Sequence, residues 1–151
     1  MTKKMIALAA GLLLALGLYA QDERKFSPEK FEADMIAYIT REAQFTEQES
    51  DAYFPLLKDM HTKQRDIYGR MRAIGKNRPS DEKGFAEAVK TRDKLDIELK
   101  QIEQQYHQKM LKVVDAAKVY DAIRAESRFH RQMMKTWQKS SPQPKRKDRR
   151  H

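Results

Sequence analysis

The chain has 151 residues, 40% of them apolar, with 31 basic against 22 acidic side chains, no cysteine and five glycines. Without cysteine there is no disulfide staple, and so few glycines leave little for a phosphate-cradling loop or a strand-and-turn fold. The charge is uneven: Lys139–His151 hold six basic residues and one acidic, while residues 21–138 carry an excess of only two, so a nearly balanced body precedes a basic tail.

Residues 1–20 have the layout of a secretory signal peptide. Lys3 and Lys4 give a positive start, Met5 to Leu18 are almost unbroken apolar sequence, and Leu18-Tyr19-Ala20 offers small-residue cleavage chemistry before Gln21. A membrane span needs roughly 20 apolar residues and different flanks. The alternative is an uncleaved N-terminal anchor. With no cysteine near the cleavage point, a lipoprotein anchor has no attachment residue. Export places the protein outside the cytoplasm, away from ATP and from nuclear or cytosolic nucleic acid. The 131 residues that remain suit one domain.

Ser27-Pro28-Glu29 reads as a helix start, a cap followed by proline at the first helical position, and Phe31, Met35, Tyr38 and Ile39 form the apolar face. Thr46-Glu47-Gln48-Glu49 matches a capping box. From there Tyr53, Leu57, Met60, Gln64, Ile67, Met71 and Ile74 recur with four-three spacing. Pro55 lies inside this pattern; Phe54 would be a poor cap, so the pattern predicts one kinked helix rather than a restart. Gly69 costs roughly 1 kcal/mol against alanine and points to a close approach of another backbone.

Gly75-Lys76-Asn77-Arg78-Pro79 breaks the helix, and Ser80 is the expected cap of the next, with Asp81 and Glu82 near its positive end. Phe85, Ala88, Arg92, Leu95, Leu99, Ile102, Tyr106, Met110 beside Lys109, and Val113 then repeat the heptad spacing. A short loop makes the two helices antiparallel neighbours. Pairing positions whose numbers sum to 159 sets Ile74 against Phe85, Met60 against Leu99 and Tyr53 against Tyr106. It also sets Ile67 against Arg92 and Gln64 against Leu95, a polar layer read as a register device or a contact with another helix. Asp115 is placed to cap a last helix with Ala116, Val119, Tyr120, Ile123, His130, Met134 and Trp137 on a broad face. Ser140-Ser141-Pro142 is expected to end that helix.

These features together resemble the LTxxQ family of periplasmic helical proteins, the Spy/CpxP-like group. The resemblance rests on Phe45-Thr46-Glu47-Gln48-Glu49 opening a long helix, then Tyr53-Phe54-Pro55-Leu56-Leu57 and a charged helical hairpin. Phe45 stands where the family has leucine and Glu49 where it has glutamine. The place of a second motif copy, Val114-Asp115-Ala116-Ala117-Lys118, keeps only a capping residue. The resemblance covers residues 28–138. It implies an all-α, four-helix protomer built on a long antiparallel hairpin, forming a curved antiparallel homodimer. It further implies a Spy/CpxP-like domain over 21–138 between the signal peptide and a tail at 139–151. The implied function is ATP-independent binding of unfolded or partly folded envelope proteins under envelope stress. The alternative is a periplasmic regulator that binds the sensor protein of a stress or heavy-metal system.

By helical phase, Phe54, Tyr68, Ile97, Leu111 and Phe129 lie off the apolar seams, which makes them candidates for client contact. Cover by the flanking helices, or burial in a dimer interface, is the competing account of the same five. Met60, Met71 and Met110 fall on or beside the seam and are assigned to the core. No metal site is assigned: His61 and His107 are roughly 14 Å apart along the hairpin. His130, with Glu126 before it and Met133-Met134 after, is a weak candidate that reads more simply as structural. No cofactor is expected. Neither is enzymatic activity, since acidic and basic residues alternate as on solvated helix faces. The tail is expected to be disordered. Export argues against nucleic acid as its partner and favours an anionic membrane surface or acidic client segments, with simple solubilisation as the plain alternative.

Overall fold

The computed structural model describes residues 27–140; the expected signal peptide and the tail beyond residue 140 lie outside the described residues. Among the described residues the chain is all-helical, with four helices and no strand. The helices are α1 (Pro28–Glu42), α2 (Glu47–Lys76), α3 (Glu82–Met110) and α4 (Ala116–Ser140). Lys139 and Ser140 therefore belong to α4 rather than to the tail. The chain divides into two compact units, Met1–Asp34 and Met35–His151. In the first, the Ser27 hydroxyl accepts from the Lys30 amide at 3.2 Å, and Lys30 pairs with Asp34 at 2.8 Å. Both are ordinary first-turn devices at a helix start.

In the second unit, the turn from α1 to α2 takes only four residues. Gln44 adopts a left-handed φ of 52°, its amide donates to the Arg41 carbonyl, and the Phe45 amide donates to the Thr40 carbonyl at 3.0 Å. That pair of bonds is a Schellman close, here made without the usual glycine. Thr46 then caps α2 directly. The Glu49 amide donates to the Thr46 hydroxyl at 3.2 Å, and the Thr46 amide donates to the Glu49 carboxylate at 2.8 Å. The capping box read from the sequence is present. α2 runs unbroken through Pro55. The bond that proline forfeits would have gone to the carbonyl of Asp51, and both residues face solvent, so water can take it.

Three polar bonds set the register of α2 on α3, and their order runs in opposite directions along the two helices. Tyr106 donates to Asp59, Gln64 donates to Glu103 at 3.4 Å, and Arg70 donates to both carboxylate oxygens of Glu98 at 3.2 Å. The partner numbers sum to 165, 167 and 168, so the expected sum of 159 is off by about one heptad. The slip removes the expected polar layer. Ile67, instead of facing Arg92, is buried with Leu95 and Leu99, and Met71, Ile74 and Ile102 pack around them. Arg92 is exposed. The first turns of α3 overhang the end of α2, which leaves Phe85 and Val89 exposed, with the Arg78 guanidinium 5.3 Å from the Phe85 ring. A four-three seam fits itself again after every seven residues, so spacing alone does not choose between these registers.

The cap of α3 is Asp81 rather than Ser80: its carboxylate accepts from the Gly84 amide at 2.8 Å. A carboxylate at that position also meets the positive end of the helix dipole. Gly84 is required there, because a Cβ would lie 2.8 Å from the Asp81 carboxylate and 2.9 Å from Pro79 Cβ. Gly69 differs from expectation. Its Cβ would meet only the end of the flexible Arg72 side chain, at 3.9 Å, so no backbone approaches it among the described residues. Alanine scanning of the two glycines should therefore give opposite signs. Gly69→Ala is expected to raise stability by about 1 kcal/mol. Gly84→Ala is expected to lower it by about 1–3 kcal/mol through overpacking, despite better helix propensity. Urea unfolding followed by circular dichroism reads both; a Gly84→Ala protein as stable as Gly69→Ala would refute the close approach at Pro79.

Candidate functional site

α4 packs on a face rotated from the one the sequence suggested, with Val119 common to both. Val119, Ala122, Ala125 and Phe129 are buried, whereas Tyr120, Met134 and Trp137 are exposed. The correction has a physical reason in Glu126, which lies on the buried face. Bulk alone favours Tyr120 and Ile123 over a face that carries two small alanines and a charge. The alanines let the helix come close, and the charge finds partners. His61 Nε2 lies 2.7 Å from the Glu126 carboxylate, and His130 Nε2 lies 3.6 Å from the same oxygen. Burial by itself would raise the Glu126 carboxyl, but the imidazoles of His130 and His61 outweigh it and hold the group at about 2. Tyr53 is fully buried nearby, and its hydroxyl has no hydrogen-bond partner among the described residues. Burial, then the charge of Glu126, pushes that phenol upward.

Three further contacts hold α4 in place. Lys118 donates to Glu49 at 2.6 Å, so the carboxylate that closes the capping box also reaches the last helix. This bond lowers the Glu49 carboxyl first, with the Thr46 amide adding to it. Glutamine could close the box but could not form the ion pair. At the end of α1, Arg128 pairs with Glu42 at 3.2 Å, and the Phe129 ring sits 5.6 Å from that of Tyr38.

The five candidate contact residues fall into two groups. Phe54 and Phe129 are corrections, since both are 6% exposed. Phe54 meets the rings of Tyr53 and of Phe45, which the tight α1–α2 turn folds back onto α2. Tyr68, Ile97 and Leu111 remain open to solvent, Ile97 by 60%. In the observed register Tyr68 and Ile97 stand at the same level of α2 and α3, with Lys100 and Gln101 following Ile97 on α3. Leu111 caps α3 beside exposed Val113 and a few residues before exposed Tyr120. Val89, Val113 and Tyr120 were missed: two of them had been assigned to apolar faces, and the overhang that exposes Val89 depends on the register.

His130 does not gather a ligand set. Among the described residues no three His, Cys, Asp or Glu side chains are disposed to hold a metal ion. His61 lies on Glu126 of α4, while Arg70 takes Glu98 of α3. Comparison with known proteins finds no matching family model, no matching characterised protein and no matching solved structure.

The depressed Glu126 carboxyl fixes a pH dependence. Its contribution to stability is complete above the ordinary value of 4.5 and is lost as pH falls towards about 2. Glu126→Gln is expected to cost about 1–3 kcal/mol at neutral pH. The gap from the parent should close as acid is added through that window. Urea midpoints measured against pH test this, and a gap that stays constant to the acid end would contradict the assignment.

Proposed function

We propose that this chain is an exported, ATP-independent protein-binding chaperone of the Spy/CpxP-like kind, acting in the periplasm under envelope stress. In this reading α2 and α3 form the long antiparallel hairpin of a homodimer, and unfolded or partly folded envelope proteins are its clients. One observation carries the proposal: Tyr68, Ile97 and Leu111 stand in solvent, with Phe85 and Val89, on or at the end of helices whose other exposed positions are mostly charged or polar. Apolar groups ringed by charged ones suit contact with many partners, because charge brings a client close and apolar contact then holds it. A client that folds buries its own apolar groups and leaves, so the cycle requires no nucleotide. The resemblance of Phe45–Glu49 to the LTxxQ motif supports the same reading. Lys118 on Glu49 gives the departure from that motif a structural use.

The test is suppression of aggregation. At stoichiometric amounts the protein should keep a heat-unfolded or reduced client in solution. A Tyr68→Ser, Ile97→Ser, Leu111→Ser triple variant should lose most of that activity while keeping its helical circular dichroism. No suppression by a fully helical parent protein would overturn the proposal.

A further inference from the structure

Among the described residues, α4 runs on past the part of it that packs against the other helices. Phe129 is its last buried residue, yet the helix continues to Ser140, and Met134 and Trp137 stand exposed on that extension. At 100° per residue, Met133 and Trp137 follow the side of the helix that Ala122 and Phe129 bury, Met134 lies next to Trp137 further round, and Arg131, Lys135 and Lys139 cluster roughly opposite these three. The charge is one-sided: from Arg131 to His151 there are eight basic residues and one acidic. No described helix is long and apolar enough to cross a membrane. This combination suits a helix that lies on a surface rather than one that spans it.

We propose that the end of α4, with the basic sequence that follows it, docks on an anionic phospholipid surface. Trp137 and the two methionines enter the headgroup boundary, where an indole buries its ring and keeps its N–H near polar partners. Lys135 and Lys139 extend along the helix to the phosphates, and Lys145, Arg146, Lys147, Arg149 and Arg150 add the long-range attraction. A protein client with acidic segments would supply the charge but not the flat apolar boundary that suits an exposed indole. The inference is independent of the proposed chaperone activity: either can fail while the other holds.

Trp137 is the only tryptophan of the chain, so its emission reports the contact directly. The full-length protein is titrated with vesicles of phosphatidylcholine containing about one third phosphatidylglycerol, and with pure phosphatidylcholine vesicles, at low and high salt. The expected result is a blue shift and co-flotation on the anionic vesicles alone, weakened at high salt. Changing the five basic residues between Lys145 and Arg150 to glutamine should reduce partitioning about tenfold or more. Met133→Ser with Met134→Ser should shrink the blue shift while leaving the salt dependence in place. Equal binding to neutral vesicles would overturn the proposal, because it points to the apolar N-terminal sequence. A blue shift that grows with protein concentration without vesicles would overturn it in favour of a second copy. Saturable binding to duplex DNA with none to vesicles would overturn it in favour of nucleic acid.

Discussion

A carboxylate on the packing face of a helix must be compensated, and Glu126 is that constraint here. Taking an ionised group out of water costs several kcal/mol unless hydrogen-bonding partners replace the solvent. His61 supplies the nearer contact from α2, and His130 lies one turn further along α4. Once Glu126 faces His61, the rotation of α4 is fixed. Ala122, Ala125 and Phe129 turn inward with it, while Tyr120 turns out. The same rotation carries Lys118 to Glu49 and Arg128 to Glu42, so ion pairs at the two ends of α2 and α1 reinforce one orientation. A face chosen by bulk would have put Tyr120 inside and left these charges without their partners.

This explains what was legible in the sequence and what was not. Local devices were readable because their chemistry lies within a few residues. The box of Thr46 and Glu49, the cap at Ser27 and the seam residues Tyr53, Leu57, Met60 and Leu95 all carry their partners or their period with them. The heptad register was not, since a seam with period 3.5 is nearly unchanged by a shift of seven. What selects the register is specific: the Tyr106 phenol on Asp59, Arg70 on Glu98, and the removal of Arg92 from opposite Ile67. The face of α4 was hidden for a related reason. A glutamate counts against burial until its histidine, 65 positions away in the chain, is known to be there. The cap of α3 fell one residue past the expected Ser80, where the Asp81 carboxylate accepts from the Gly84 amide.

Exposure at the candidate surface follows from this geometry. The contacts of α4 with α2 fall on Glu49 and His61, in the first half of α2. Beyond them, the core of Ile67, Leu95 and Leu99 is built entirely from α2 and α3, with Met71, Ile74 and Ile102 around it. Two helices bury one narrow stripe between them and leave the residues beside that stripe in water. Tyr68 and Ile97 occupy such positions and are open, whereas Phe54 and Phe129, equally off-seam by phase, lie where α1 and the α1–α2 turn supply cover. Whether an off-seam ring or aliphatic group is covered or left exposed thus depends on position along the molecule rather than on residue type. The half built from three or more helices absorbs the rings of Phe54 and Phe129, while Leu111, Val113 and Tyr120 stay exposed at its edge. The half built from two helices leaves Tyr68, Val89 and Ile97 outside, because no third helix reaches them among the described residues.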